Sequence, residues 1–269
     1  MVLGAAVLCK EMMVDNGNYE IEEEICYYKS EKMGTIRSLN QTQREVYYEL
    51  LDALLRGKEK FQMDNVKVLP YESINVLKKD FPQTDLLLDY VSSYYKDKLY
   101  VTLRYKEKGR ELLKNVECVA DKILKQCVRE NLSDKEVFEN IYNYMCKHYR
   151  YQTEKDSEGN YPAYSYSIIA LLKNGVCKGY SLSLVYLLGK VQVPVSYIVG
   201  NAGRSAFNGE SLHAWNLLES TTGVTHVDLT WDLGTHTKKY LYLDDKSIQA
   251  RTHFWDRSEQ PAACPVSGM

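Results

Sequence analysis

Apolar positions in the first part of the chain recur at both helical and strand-like intervals. Spacings of i, i+4 and i+8 predict a helix that opens at Asn40 and ends at Gly57, and a shorter helix is predicted over residues 71–79. Alternating or β-prone runs predict strands over residues 19–33 and 99–105. This mixture of helix and strand predicts a small N-terminal α/β region.

The pattern becomes helical after a polar turn at residues 107–109. One amphipathic helix is predicted over residues 112–128. A capping box formed by Ser133 and Glu136 opens a second helix, which is predicted to run to about residue 149. Two helices in succession indicate that a new structural unit begins here.

The last part of the chain is predicted to be mainly β-structure. A helix is predicted to begin at Cys177 and to end at Gly189. Strands are then predicted over residues 193–199, 212–218, 224–230 and 240–243. Helices followed by a mostly antiparallel sheet indicate an α+β fold. We therefore predict an N-terminal helper region over residues 1–108 and a larger domain over residues 109–269.

Charge and cysteine content argue against several classes of protein. The 269 residues carry 34 Lys and Arg against 36 Asp and Glu, a balance that argues against a nucleic-acid partner or a polybasic membrane anchor. No segment approaches the roughly 18 uncharged apolar residues of a membrane span. The seven cysteines form no C-x-x-C pair, which argues against a zinc site and predicts reduced thiols in the cytoplasm. Residues 1–9 are apolar but lack a basic start, so they are predicted as a buried strand or helix end, with a trimmed export signal as the alternative.

One cysteine lies where a thiol would be reactive. Cys177 follows Gly175 and Val176 and stands at the predicted start of a helix. The free N–H groups and the positive dipole end at a helix N-terminus favour a thiolate, and the same N–H groups can hold a developing oxyanion. The position therefore makes Cys177 a candidate nucleophile, although many cysteines at such positions are simply small core residues.

The predicted hairpin after this helix supplies partners for the thiol. If its turn is symmetric about the junction of Ser220 and Thr221, His213 lies directly opposite Asp228. Opposite residues on an antiparallel pair have Cβ atoms about 5 Å apart, within reach of an imidazole–carboxylate hydrogen bond. A slip of one residue would place the two side chains on opposite faces. With this register, Cys177, His213 and Asp228 have the residue types of a nucleophile, a base and an orienting group.

Two neighbouring residues are alternatives for these roles. His226 shares a face with Asp228 and lies opposite Trp215 in the same register, so it could be the base, although packing on Trp215 is the simpler interpretation. Asp232 could replace Asp228 as the orienting group. The remaining histidines, His148, His236 and His253, are predicted to be surface or structural residues.

Three segments together resemble the signature blocks of the transglutaminase-like superfamily, in the same order. They are residues 175–180 (Gly-Val-Cys-Lys-Gly-Tyr), 213–216 (His-Ala-Trp-Asn) and 227–232 (Val-Asp-Leu-Thr-Trp-Asp). The resemblance extends over about residues 110–255 and is greater to the bacterial branch than to the animal crosslinking enzymes. It implies a papain-like core of helices packed on an antiparallel sheet. It also implies Cys177 as nucleophile, His213 as general base and Asp228 as the group that orients His213.

The reaction is less well defined than the fold, because the superfamily includes transglutaminases, cysteine peptidases, deamidases and inactive relatives. The resemblance implies a thiol enzyme that acts on amide bonds of a peptide or protein and passes the acyl group to water or to an amine. A catalytically silent module that binds a peptide or glycan in the same cleft is the alternative. An acyltransferase that uses a thioester cofactor is disfavoured, because no nucleotide-binding segment is visible. No cofactor and no metal are expected.

Aromatic residues are the candidates for the cleft. The chain has 23 Tyr and only 5 Phe, and tyrosine suits groove walls because one end of the ring is apolar and the other forms hydrogen bonds. The candidate cleft residues are Tyr164, Tyr166, Tyr180, Trp215 and Trp231. Members of the superfamily also place an aromatic or amide side chain upstream of the cysteine in the oxyanion hole. Residues 161–166 offer tyrosines but no Trp or Gln, so this position stays open.

Overall fold

The computed structural model describes residues 35–203, 211–220, 223–235 and 237–257. The strand predicted over residues 19–33 and the apolar segment at residues 1–9 lie outside these ranges. Within them, no helix is long and apolar enough to cross a membrane.

The N-terminal region packs helices against one face of a three-stranded antiparallel sheet. Its elements are α1 (Gln41–Leu55), β1 (Lys60–Met63), α2 (Tyr71–Asp80), α3 (Thr84–Leu87), β2 (Leu88–Tyr95) and β3 (Leu99–Tyr105), with strand order β1-β3-β2. Alternate residues of β3 (Leu99, Val101 and Leu103) are buried in the same cluster as Leu50 of α1. The central strand therefore places its apolar face under the helices.

The sequence predictions for this region are confirmed at three elements. Helix α1 begins after Asn40, whose side chain forms a reciprocal capping box with Gln43. Helix α2 and strand β3 coincide with the helix and strand predicted over residues 71–79 and 99–105. Local signals sufficed here, because caps and periodicity act within one element.

The rest of the described chain combines helices with a four-stranded antiparallel sheet, which confirms the predicted α+β fold. The helices are α4 (Gly109–Cys127), α5 (Asp134–His148), α6 (Cys177–Lys190), α7 (Leu229–Thr235) and α8 (Asp245–Gln249). The strands are β4 (Val195–Ala202), β5 (Leu212–Ser220), β6 (Gly223–Val227) and β7 (His253–Trp255), in the order β6-β5-β4-β7. The predicted capping box at Ser133 and Glu136 opens α5.

Three predicted boundaries in this part are wrong. The strand predicted over residues 224–230 ends at Val227, because the carboxylate of Asp228 accepts the first N–H groups of the next helix, α7. The strand predicted over residues 240–243 is reduced to a single bridge between Leu243 and His226. Helix α6 continues through Gly189 to Lys190, and the left-handed conformation after it is adopted by Gln192.

Helix α6 is held against the sheet by a buried amide. The Nδ2 of Asn216 on β5 donates to the carbonyl oxygens of Ser181 on α6 (3.0 Å) and Ser196 on β4 (3.2 Å). At the start of the helix, Gly179 allows the preceding loop to approach closely, since a Cβ there would lie 2.2 Å from the carbonyl oxygen of Ser165. That oxygen also accepts the N–H of Val176. These contacts fix the N-terminus of α6, where Cys177 stands.

The two parts of the chain touch through short helix α3. Leu86 of α3 packs in the same hydrophobic cluster as Val116 of α4. Helix α4 begins at Gly109, the first residue of the predicted second domain. The division between residues 108 and 109 stays a prediction.

Candidate active site

Cys177 is the first residue of α6 and is half-buried. Its thiol hydrogen-bonds to the ring of His213 and accepts the backbone N–H groups of Ala214 and Lys178. Burial raises the pKa of the thiol, but the hydrogen bond and charge of His213, together with those backbone groups, hold the pKa of Cys177 below its usual value. The predicted helix N-terminus therefore does favour the thiolate.

His213 lies on β5 between the thiol and a carboxylate. Its Nε2 is 2.6 Å from Oδ2 of Asp228, which leaves Nδ1 for the contact with Cys177. Burial lowers the pKa of His213, but the charge and hydrogen bond of Asp228 and the contact with Cys177 outweigh it and raise the pKa well above the usual value. The imidazolium form of His213 is thus stabilised from both sides.

Asp228 is fully buried, and both of its carboxylate oxygens accept hydrogen bonds. Oδ1 accepts the N–H of Thr230 (3.0 Å), the hydroxyl of Thr230 (2.7 Å) and the N–H of Trp231 (3.2 Å). Oδ2 faces His213 at 2.6 Å and His253 at 3.0 Å. Burial raises the pKa of Asp228, yet the charge and hydrogen bond of His213 and the hydrogen bond of His253 hold it well below its usual range. The carboxylate is therefore ionised and fixed in orientation.

The hairpin that carries these residues has a different register from the predicted one. Ser220 pairs with Gly223 and Leu217 with His226, so the turn lies one position later and the pairing is shifted by two residues. The prediction that His213 lies directly opposite Asp228 is wrong, as is the pairing of Trp215 with His226. Because a shift of two keeps every side chain on its face, both pairs still meet diagonally.

The two alternative residues are engaged elsewhere. The ring of His226 accepts a hydrogen bond from Nε1 of Trp215 at Nδ1 (2.9 Å), and its Nε2 is 3.0 Å from Asp245. Burial lowers the pKa of His226 to about 4. The carboxylate of Asp232 accepts the Tyr142 hydroxyl at 2.6 Å, and burial raises its pKa. The geometry favours His213 and Asp228 for the base and the orienting group.

The five cleft candidates divide into two groups. Tyr180 and Trp215 have no exposed surface and lie in the interior, which corrects their assignment to the cleft. The Tyr180 hydroxyl donates to the carbonyl oxygen of Arg150, and Trp215 packs beside His213. Tyr164 is half-buried and Tyr166 is exposed. Trp231 is half-buried, with its ring centre 5.6 Å from that of His213.

Sequence reasoning missed Tyr151. Its hydroxyl hydrogen-bonds to both the backbone N–H and the thiol of Cys177. Burial, with the nearby charge of Cys177, raises the pKa of Tyr151, so the hydroxyl keeps its proton. Tyr151 reaches this place through a bridge to Gly175, supported by the N–H of Gln152 on the Gly175 carbonyl oxygen (2.8 Å). No local pattern signals such a pairing.

Sequence reasoning also placed His253 among surface or structural residues. The side chain is fully buried at the start of β7, and it contacts the same carboxylate oxygen of Asp228 as His213 does. No motif or spacing around residue 253 signals this contact. His148, by contrast, is exposed on α5 and packs on Tyr144, while His236 lies outside the described residues.

One cluster within the described residues has the composition of a metal site. Ligand-type atoms of His213, Asp228 and His253 lie within 4.8 Å of one another. Around a tetrahedral ion with bonds of about 2.1 Å, however, ligand atoms lie about 3.4 Å apart. The two nitrogens are 2.6 and 3.0 Å from Oδ2, which is hydrogen-bond spacing. The three side chains therefore fit a hydrogen-bonded array better than a metal centre.

The α+β core in this part of the chain brings a thiol, an imidazole and a carboxylate into one hydrogen-bonded row. Residues 121–228 match the model of the transglutaminase-like superfamily, and this segment of the chain belongs to that superfamily. The segment contains Cys177, His213 and Asp228.

Two further comparisons add little to this assignment. No curated protein matches the chain. A solved structure described as "Crystal structure of a TGase" is similar at 12% identity with a TM-score of 0.36. The match covers 64% of this chain and 50% of that structure, so the chain spans about half the length of this relative.

Proposed function

We propose that the protein is a thiol-dependent acyl-transfer enzyme that acts on amide bonds of a peptide or protein. The observation that carries the proposal is the hydrogen-bonded row from Cys177 through His213 to Asp228 in a transglutaminase-like domain. The residue types, the lowered thiol pKa and the ionised carboxylate all suit nucleophilic catalysis.

The reaction has two halves. The Cys177 thiolate attacks the amide carbonyl carbon and forms a tetrahedral intermediate. The C–N bond then breaks, the His213 imidazolium gives its proton to the leaving amine, and an acyl-thioester remains on Cys177. In the second half, water or an amine gives a proton to His213 and attacks the thioester, which releases the acyl product and restores the thiolate–imidazolium pair. Asp228 stays ionised throughout and fixes the His213 ring.

Two donors are placed to stabilise the oxyanion of the intermediate. The backbone N–H of Cys177 is at the helix N-terminus, and the Tyr151 hydroxyl is hydrogen-bonded to it in the free protein. When a carbonyl oxygen enters, both groups can donate to it. This assigns the position that the sequence left open to Tyr151, outside the 161–166 segment.

A row of tyrosines supports a peptide substrate. The ring of Tyr151 packs edge-on against Tyr161, and Tyr161 packs in the same way against Tyr166. Because Tyr151 touches the thiol and Tyr166 is exposed, the row extends from the nucleophile to the surface. Such rings offer apolar faces and hydroxyls to an extended chain.

Alkylation of the thiols separates this proposal from a silent binding module. At about pH 6.5, iodoacetamide should label Cys177 much faster than Cys118, an exposed thiol on α4. Cys127 and Cys146 should also lag, because burial raises the pKa of both thiols. The labelled sites can be read by peptide mass spectrometry over time. Equal rates at Cys177 and Cys118 would favour the binding module.

Replacement of Tyr151 by Phe tests the oxyanion assignment. Tyr151→Phe removes one of the two donors and is expected to slow acylation of Cys177 by roughly 10- to 100-fold, less than the loss of a sole donor because the backbone N–H remains. Acylation can be measured with a peptide carrying an amide-mimicking electrophile. Tyr144→Phe is the control, since it deletes a tyrosine hydroxyl on α5, outside this row of tyrosines. Equal rates for Tyr151→Phe and the wild type would remove Tyr151 from the oxyanion hole.

A peptide-library screen with and without an added amine identifies the acceptor. Cleaved or deamidated products indicate transfer to water, and incorporation of the amine indicates transglutamination. No product in either arm, with slow alkylation of Cys177, would support the silent module.

A further inference from the structure

One face of the four-stranded sheet is covered by α6 only as far as Cys177. Side chains of β5 alternate, so Leu212, Ala214 and Asn216 share this face. Asn216 hydrogen-bonds to the Ser181 carbonyl oxygen of α6, and Ala214 is buried in the cluster against which Cys177 packs. Because α6 begins at Cys177, the next position of the face, Leu212, lies beyond the N-terminus of the helix.

Strand β4 continues the same face. Val199 pairs directly with Ala214, whose backbone N–H donates to the thiol of Cys177. Opposite residues of an antiparallel pair share a face, and their Cβ atoms lie about 5 Å apart. Tyr197, two residues earlier on β4, is buried in the cluster against which Cys177 packs. Val199 therefore lies beside the proposed nucleophile, on the side of the sheet that faces α6.

The two aliphatic side chains at this end of the face are exposed. Leu212 is 78% exposed and Val199 is 39% exposed. Leu212 is also the most exposed of the large hydrophobic residues that the structure describes. Their neighbours toward the helix, Tyr197 and Ala214, are buried. The apolar face of the core thus continues into solvent directly beside the thiol.

The position of the thiol determines what can cover this surface. An amide attacked by Cys177 has to place its carbonyl carbon within reach of the sulfur, at the N-terminus of α6. Groups attached to that amide then extend over the surface next to the sulfur. We propose that Val199 and Leu212 form a subsite for an apolar group of the substrate, next to the amide that Cys177 attacks. The proposal rests on the function proposed above and adds a substrate preference to it.

The subsite differs in chemistry from the row of tyrosines at residues 151, 161 and 166. Tyrosine rings offer hydroxyls as well as apolar faces. The side chains of Val199 and Leu212 have no hydrogen-bonding atom, so a charged group placed on them would lose water without gaining a partner. The subsite should therefore favour an aliphatic or aromatic group over a charged one.

The test compares two reagents at the same thiol in the full chain. Iodoacetamide and N-butyl-iodoacetamide both alkylate a thiolate with loss of iodide, but only the second carries an apolar chain. The ratio of their rates at Cys177 is divided by the ratio at Cys118, an exposed thiol on α4, to correct for the reactivity of the reagents. We expect a corrected preference of roughly three- to tenfold for the butyl reagent, since an open surface encloses less of the chain than a closed pocket. A corrected ratio close to one overturns the proposal.

Two polar variants and one apolar variant assign the preference to these side chains. Leu212→Asn keeps the size of the side chain but makes it polar, and it should bring the corrected ratio toward one. Val199→Thr is a nearly isosteric variant on the other strand and should act in the same direction. Leu212→Met is the matched control, because it keeps an apolar side chain at the same position and should keep the preference. Both positions are exposed, so the thermal unfolding temperature should stay close to that of the wild type in all three variants.

The variants can also contradict the proposal. A corrected ratio that neither Leu212→Asn nor Val199→Thr lowers overturns it, and so does a ratio that Leu212→Met lowers as far as Leu212→Asn. Failure of the proposed function looks different, because iodoacetamide alone would then label Cys177 no faster than Cys118. Fast labelling of Cys177 by both reagents, without a preference for the butyl chain, would overturn the subsite alone.

Discussion

Cys177→Ala is expected to abolish acyl-enzyme formation while leaving the protein folded. The change removes the sulfur atom that would form the thioester, and no neighbouring group in the row is a nucleophile of comparable strength. The loss should equal the full catalytic effect of the thiol, at least about 10³-fold. Intact-mass analysis after reaction with an electrophilic peptide measures it directly, because the wild type gains the mass of one acyl group.

The control for this variant is Cys118→Ala, an equivalent deletion at an exposed thiol on α4. It should acylate like the wild type. Thermal unfolding of Cys177→Ala should stay close to that of the wild type, since the half-buried sulfur fills little of the core. Adduct formation at the wild-type rate in Cys177→Ala would transfer the nucleophilic role to another residue.

The positions of the three proposed catalytic residues could be predicted from local sequence patterns and from the alternation of side chains along a strand. The N-terminus of α6 is signalled by Gly175 and Val176 before an apolar run, and the structure starts the helix at Cys177. The hairpin register was wrong by two, yet His213 and Asp228 still met, since a period-two strand returns each side chain to the same face. A register error of two residues left both side chains on the same face, whereas an error of one residue would have placed them on opposite faces.

Tyr151 and His253 could not be predicted, because each reaches the site through pairing with a distant segment. Tyr151 bridges to Gly175, and His253 pairs with Ala202 of β4, each across a long stretch of the sequence. Single-sequence patterns contain periodicity within an element but no information on which elements pair. The same reason explains why Tyr180 and Trp215 were wrongly predicted to line the cleft. Their rings would suit a cleft, but each lies on the buried face of its helix or strand.

The Asp228 carboxylate contacts three parts of the structure: the start of α7, the His213 ring and the His253 ring. Its Oδ1 accepts two N–H groups at the start of α7 and so ends β6, while Oδ2 orients His213 and contacts His253. A single side chain thus fixes the end of β6 and the positions of two histidine rings. Removal of the carboxylate would remove all three, so a test of its chemistry must preserve its shape.

Asp228→Asn preserves the shape and is expected to slow acylation of Cys177 by roughly 10- to 10³-fold. If the new amide oxygen keeps the bonds to Thr230 and Trp231, the amide NH₂ faces Nε2 of His213. Two donors then oppose each other, and His213 relieves this by moving its proton to Nδ1. The ring would then present an N–H to a neutral thiol and could not accept its proton. In serine proteases the corresponding change costs about 10⁴, and the greater nucleophilicity of sulfur makes the loss smaller here.

The matched control is Asp232→Asn, four residues along the chain and also buried. Its amide oxygen can still accept the Tyr142 hydroxyl, so the acylation rate should stay close to that of the wild type. The pH dependence of Cys177 alkylation by iodoacetamide provides a second measurement. Asp228→Asn removes the charge that raises the pKa of His213, so the imidazolium that stabilises the thiolate is lost and thiolate formation should move to higher pH. If Asp232→Asn proved the slow variant and Asp228→Asn reacted like the wild type, the orienting role would belong to Asp232.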